Sequence, residues 1–393
     1  MADFISEAQS LFEYTRSLRR DFHAHPELGF QEVRTSGIVA QELNTLGLEF
    51  NTGIAGTGVV ALLEGAKPGP VILVRADMDA LPITEETGAE YASQNHGIMH
   101  ACGHDGHTAI LLTVAKMLQA HRDELAGTVK FMFQPAEEGM GGAEKMIDAG
   151  ILENPKVEKV LGLHLWNEQP VGWFGISNGP MMAGAEIFSI KVDGKGGHAA
   201  APHQSNDPIL AAAQIISALQ GIVSRNVAPL QTAVVSVCTI HGGETFNVIP
   251  PAVKMTGTIR TFEPEVRTRV LQRFEDTVHG VAEAMGCHAT IDMERLCPAT
   301  VNQPETALRI QAIASQLFPH ADIESANYIT MGSEDFAFLL EKVPGCFFFV
   351  GSANPEKGLD AGHHHPKFDF DEVALPRASA LMAAVVINLL SGK

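Results

Sequence analysis

The chain has 393 residues, more than one hydrophobic core ordinarily organises, so two domains are the starting expectation. Apolar residues make up 45% and charged residues 19%, a globular balance that excludes a disordered chain. The formal net charge of -19 repels phosphate backbones and argues against nucleic acid as a partner, while saying nothing positive about substrate.

The opening stretch, MADFISEAQSLFEYTRSLRRDFHAHPE, has early acids and no long apolar run, so neither a signal peptide nor a membrane span is expected. Residues 8–22 and 31–46 read as helices, the second ending at Gly47. Strands follow at 58–63 and 71–76, then a helix at 107–121, a strand at 128–133, a short helix at 142–149 and a strand at 159–165. The runs at 71–76 and 128–133 are continuously apolar, as strands buried on both faces are. This alternation predicts an α/β domain with a mostly parallel sheet and helices on both faces. The middle changes character: strand 185–192, helix 208–224, strands 232–240 and 253–261, helix 264–285 and strand 288–294. That order, β-α-β-β-α-β, predicts an inserted ferredoxin-like α+β domain. Afterwards the first pattern resumes, with GCFFFVG at 345–351 as a buried strand and 371–390 as a core helix. The predicted domains are therefore 1–183 plus 298–393, interrupted by 184–297. Five cysteines, Cys102, Cys238, Cys287, Cys297 and Cys346, show no paired spacing. An odd, scattered set argues for reduced thiols and a cytoplasmic setting.

Chemistry concentrates in MHACGHDGHTA, which packs His100, Cys102, His104, Asp105 and His107 just before a helix. Thiolate and imidazole suit zinc and its neighbours, and carboxylate extends the range to manganese. Five groups cannot all ligate; His100 and His107 are read as facing substrate or supporting the ligands. FQPAEEG sets Glu137 and Glu138 just past the carboxyl end of a strand, where open α/β sheets gather their sites. Beside a metal, adjacent acids divide into one ligand and one general base. Weaker signals are His164 in GLHLW, Asp77 and Asp79 in RADMDALP, and the internal run HHHPKFDFDE at 363–372.

RADMDALP, HACGHDGHTA, QPAEEG, GLHL, GKGGHAAAPH and the late H-x-P-x-F segment resemble the amidohydrolases related to bacterial hippurate hydrolase and plant indole-acetyl-amino-acid hydrolases. These belong to a wider metallopeptidase clan with glutamate carboxypeptidase and the aminoacylases. The resemblance spans residues 75–370 and implies two divalent ions per chain (zinc, manganese, cobalt or nickel) on the larger domain, with the smaller one as a lid. It makes Cys102, His104, Glu138, His164 and His364 ligands, with His363 and His365 flanking the last one ambiguously, and Glu137 the general base. Asp77 and Asp79 would support the ligands, and Asp105 is placed with them.

The same resemblance makes His198 the lid histidine that stabilises the developing oxyanion, and Asn247 and Arg260 the donors that hold the substrate carboxylate. Glu334 and Asp335, in MGSEDFAFL, resemble a pocket-closing loop, or equally cap a helix. The implied activity is hydrolysis of small N-acyl amino acids, by a soluble homodimer or homotetramer assembled through the lid, with no nucleic-acid or membrane partner. The rival readings are a dipeptidase or carboxypeptidase of the same clan, and a non-catalytic metal-binding protein on this fold.

Overall fold

In the computed structural model, residues 3–391 are described, Asn327 excepted. Contacts divide the chain into two compact units: Met1–Met181 with Val301–Ile329 and Asp335–Lys393, and Met182–Thr300 with Thr330–Glu334.

The first unit is built on an eight-stranded sheet. Its order is Glu49–Ile54, Gly58–Glu64, Ala126–Gln134, Lys67–Asp77, Lys159–Pro170, Gly345–Ala353, Trp173–Gly175 and Asp322–Glu324. The four central strands run parallel. They are the apolar runs: Gly345–Ala353 is buried throughout, and Lys67–Asp77 is buried over its last seven residues. The sheet is mixed: its parallel centre agrees with the mostly parallel expectation, and antiparallel pairings flank it. Glu49–Ile54 and Gly58–Glu64 form an antiparallel hairpin that continues antiparallel onto Ala126–Gln134, and Trp173–Gly175 lies antiparallel to Gly345–Ala353. A hairpin needs only a tight turn, whereas a parallel crossover needs a dozen or more residues. Here Gly53 and Gly56, at φ 77° and 102°, supply the turn. The helices His104–Ala120 and Ala374–Leu390 are buried on nearly every face and join the sheet in one core.

The second unit has the order strand–helix–strand–strand–helix–strand. Its sheet runs Ala233–His241, Ala252–Thr261, Gly184–Asp193, His288–Cys297, all antiparallel. Alternate residues of Gly184–Asp193 are buried, and Phe188, Ile190 and Val192 form a separate core with the helices Pro208–Gly221 and Pro264–Ala284. Among the described residues, Pro208–Asn226 is the one helical run long and apolar enough to cross a membrane, yet its Ala211, Ala212, Ile215 and Leu219 pack inside this core.

Candidate metal centre and active site

Register decides which residues meet. Asp77, the last residue of its strand, pairs with Gln134, and Arg75 pairs with Gly162, so His164 stands level with Asp77. Glu137 and Glu138 follow Gln134 by a few residues, and His164 pairs with Phe349 of the fourth parallel strand. The site therefore sits where Ala126–Gln134 and Lys67–Asp77 end, the expected place in an open α/β sheet, while Lys159–Pro170 and Gly345–Ala353 run on past it.

Cys102, His104 and His164 bring one candidate ligand atom each within 4.8 Å of one another, and so do Cys102, Glu138 and His364, and His104, Glu137 and Glu138. The imidazoles are oriented from behind. His104 Nδ1 faces the Asp79 carbonyl at 2.9 Å, and His164 Nδ1 faces the Leu165 carbonyl at 2.6 Å. Each Nδ1 is thus a donor, which turns the Nε2 of both rings toward the cluster. His164 Nε2 reaches Cys102 Sγ at 3.5 Å. Glu138 Oε1 lies 3.2 Å from His364 Nε2 and 4.0 Å from His104 Nε2. Yet Glu138 Oε1 and His104 Nε2 are buried without a hydrogen bond among the described residues. Buried polar atoms are rarely left so. Burial opposes a charge on His104, but Asp77 and Cys102 outweigh it and hold its pKa well above the ordinary value. Cys102 and Glu138 raise His364 to about 10. The cluster calls for positive charge, and its sulfur, nitrogen and oxygen donors fit divalent transition metals.

Other residues hold this arrangement. Asp79 accepts the backbone N–H groups of Glu137 and Glu138, each at 3.0 Å. Glu32, fully buried, accepts the N–H of Ala136 at 2.9 Å, where the chain takes φ 54°. Asp77 bonds His107 Nδ1 and Arg75 Nη1, both at 2.7 Å. Burial would raise the Asp77 carboxyl, but Arg75, His104 and His107 hold it well below the usual range. His107 Nε2 accepts the Leu165 N–H at 2.9 Å, so both its nitrogens are engaged and neither is left for a metal. Asp105 turns from the cluster to Arg19 at 2.9 Å and His23 at 2.8 Å. His100 is buried with neither ring nitrogen hydrogen-bonded among the described residues. Of the late histidines, His364 meets Glu138, the His365 ring accepts the Lys367 N–H of its own loop, and His363 faces Cys102 Sγ at 3.9 Å. Burial pushes His363 down to about 3.

In the second unit, His198 pairs with Val248 in a short ladder, and Asn247 accepts the neighbouring Ala199 N–H at 3.1 Å. Arg260 is half-buried in its strand and bonds Thr258 Oγ1 and the Ile259 carbonyl, with no ion pair among the described residues. Asp335 corrects the capping alternative, because the following helix, Ala337–Lys342, has Phe336 at its N-cap. Its carboxylate instead accepts from Arg75 at 3.0 Å, Gln134 at 2.8 Å and the Ala143 N–H at 2.9 Å, and its own N–H donates to Glu137 Oε1 at 3.3 Å. Sequence reading missed this network and the one around Arg19; the arginine in RADMDALP was the available hint.

Thiol, imidazole and carboxylate donors around buried atoms that make no hydrogen bond among the described residues, with a second acid beside them, fit a hydrolase that works through bound metal. The chain belongs to peptidase family M20/M25/M40, whose pattern it matches over residues 73–388, and it is an enzyme that hydrolyses amides. It is 42% identical over 375 residues to N-acetylcysteine deacetylase of Bacillus subtilis, covering 95% of this chain and 96% of that one. It is 40% identical over 394 residues to IAA-amino acid hydrolase ILR1-like 4 of Arabidopsis thaliana, covering 98% and 88%. Thermostable carboxypeptidase 1 of Saccharolobus solfataricus is 38% identical over 392 residues, covering 99% and 98%. Among solved structures, a dinuclear metal binding peptidase of the M20 family from Bacillus subtilis superposes with a TM-score of 0.85 at 38% identity, covering 98% and 99%.

Proposed function

We propose that the chain hydrolyses N-acyl amino acids to a carboxylic acid and a free amino acid, using two divalent metal ions. The observation that supports this is the convergence of Cys102, His104, Glu138, His164 and His364 around His104 Nε2 and Glu138 Oε1, two buried atoms without a hydrogen bond among the described residues, with Glu137 beside them. By name, two of the relatives take an acyl group off an amino acid, which supports the substrate class.

When bound, the metals would lower the pKa of a water molecule and polarise the amide carbonyl. Glu137 is the proton carrier: its carboxylate takes a proton from the attacking water and delivers it to the departing amine nitrogen. Asp79 holds the Glu137–Glu138 backbone from behind, so the base and the ligand keep separate directions. We assign His198 to the developing oxyanion, and Asn247 and Arg260 to the substrate carboxylate. Arg260 suits this, since a guanidinium without an acidic partner among the described residues is a ready fork for a carboxylate.

The test is elemental analysis of purified protein, followed by a panel of acetyl-, benzoyl-, long-acyl- and indole-acetyl-amino acids with zinc, manganese, cobalt or nickel. About two ions per chain and chelator-sensitive turnover of one acyl class are expected. Protein without metal, whose activity chelators leave unchanged, would sink the reading. The carboxypeptidase relative favours a second reading, and faster turnover of peptides than of any acyl amino acid would establish it.

A further inference from the structure

His363 sits beside the proposed ligands but is oriented the opposite way. His104 and His164 turn Nδ1 to a backbone carbonyl and leave Nε2 for the cluster. In His363 the backbone N–H of Asn167 points at Nε2, at 3.2 Å. A backbone N–H can only donate, so Nε2 of His363 is the acceptor and the ring proton of the neutral imidazole is on Nδ1. That Nδ1 faces Cys102 Sγ at 3.9 Å, a separation within reach of a hydrogen bond to sulfur. The Cys102 carbonyl lies on the same side and is the competing acceptor. The ring has little freedom to turn. Trp166 and Phe368 flank it at centroid distances of 4.9 and 5.1 Å, each tilted 36° to it.

We infer that His363 is a positioning residue that donates an Nδ1–H hydrogen bond to the Cys102 sulfur and is not itself a metal ligand. The inference rests on the proposed role of Cys102 as a ligand. A hydrogen bond to a thiolate withdraws electron density from sulfur and fixes the direction of its remaining lone pairs, which is how groups behind a ligand tune a metal. The same geometry explains why one of three consecutive histidines is left to ligate. His363 has committed its lone pair to Asn167, and His365 has turned to Lys367, which leaves His364.

The experiment uses full-length protein loaded with cobalt(II), whose thiolate-to-metal charge-transfer band reports on the sulfur directly. Three variants separate the two ends of the ring. His363→Asn places an amide N–H near the position of Nδ1 and keeps the donor to sulfur. His363→Gln reaches toward Asn167 and loses that donor, and His363→Phe loses both. The band should move to longer wavelength in the Gln and Phe variants and stay near the wild-type position in the Asn variant. Cobalt affinity, from chelator competition, should fall roughly ten- to a hundred-fold in Gln and Phe, and less in Asn. Circular dichroism confirms that each variant is folded, and the Asn and Gln variants carry the test should Phe misfold. A band that does not move in Gln would overturn the inference, giving the Nδ1–H hydrogen bond to the Cys102 carbonyl. Loss of the band in all three variants would overturn it too, making His363 a ligand. A wild-type protein with no thiolate band would instead remove Cys102 from the ligand set, and the proposed centre would fall first.

Discussion

Glu137 and Glu138 are identical and adjacent in sequence, yet their surroundings differ. Glu138 Oε1 is buried against His364 and within 4.0 Å of His104. Glu137 Oε1 receives the Asp335 N–H. The separation comes from the backbone: Ala136 takes φ 54°, and Asp79 and Glu32 bind three successive N–H groups. A non-glycine residue at positive φ persists only where its surroundings over-determine it. Glu137→Gln should therefore keep the metal and the folded spectrum while lowering kcat by roughly two to four orders of magnitude. Glu138→Gln should lose metal. If instead Glu138→Gln keeps its metal but not its activity, and Glu137→Gln stays active, the two roles are exchanged. Sequence alone located the pair, because it follows an apolar strand, and the resemblance divided it into base and ligand; the turn that separates their surroundings is announced by no local propensity.

At the scale of elements, the amphipathic pattern around residues 8–22 marked a helix but gave no notice that its arginine lies inside. The structure has helices Phe4–Ser10 and Phe12–Ala24 there, and Arg19 of the second is fully buried. Its guanidinium reaches Asp105 at 2.9 Å, Asp369 at 2.6 Å and Glu372 at 3.2 Å. Those partners lie 86, 350 and 353 positions away, so no window of sequence could show them. The network ties this helix to the first turn of His104–Ala120 and to the segment after the late histidines. Removing one member of a buried ionic cluster strands the others, at a cost of about 3–5 kcal/mol. Arg19→Met should lower the denaturant midpoint accordingly. Arg16→Met, which breaks a more exposed pair with Glu13, should change stability by less than about 0.5 kcal/mol. Equal effects would show that burial gives the Arg19 cluster no special weight. The pH dependence has a definite sign. Burial would raise the Asp105 carboxyl, but Arg19 and His23 hold it well below the usual carboxylate range. Its contribution is complete above the unfolded value of about 3.9 and declines as pH falls toward the folded one.

For the whole molecule, local periodicity was enough to locate most strands and helices, because the 2.0 and 3.6 repeats survive wherever one face is buried. The antiparallel flanks of the larger sheet escaped notice for two reasons: Glu49–Ile54 is mostly exposed and shows no alternation, and the pairings of Gly58–Glu64 with Ala126–Gln134 and of Trp173–Gly175 with Gly345–Ala353 are non-local. His198, Asn247 and Arg260 belong to the second unit, while the proposed ligands all belong to the first. Kinetics can test them. If Arg260 binds the substrate carboxylate, Arg260→Ala should raise KM strongly for N-acyl amino acids. The effect should shrink for matched N-acyl amines, which carry no carboxylate and should already be poor substrates of the wild type. His198→Ala should lower kcat for both, because its interaction is made mainly in the transition state. The double variant should show nearly additive losses if the two side chains serve different ends of the substrate. Equal loss on acids and amines with Arg260→Ala would mean that the guanidinium, bonded to Thr258 and the Ile259 carbonyl, supports its own sheet and does not recognise substrate. Arg260→Lys sharpens the distinction. A charge without the planar fork should recover part of the KM for acids if a carboxylate is bound, and should leave kcat for amines where Arg260→Ala left it.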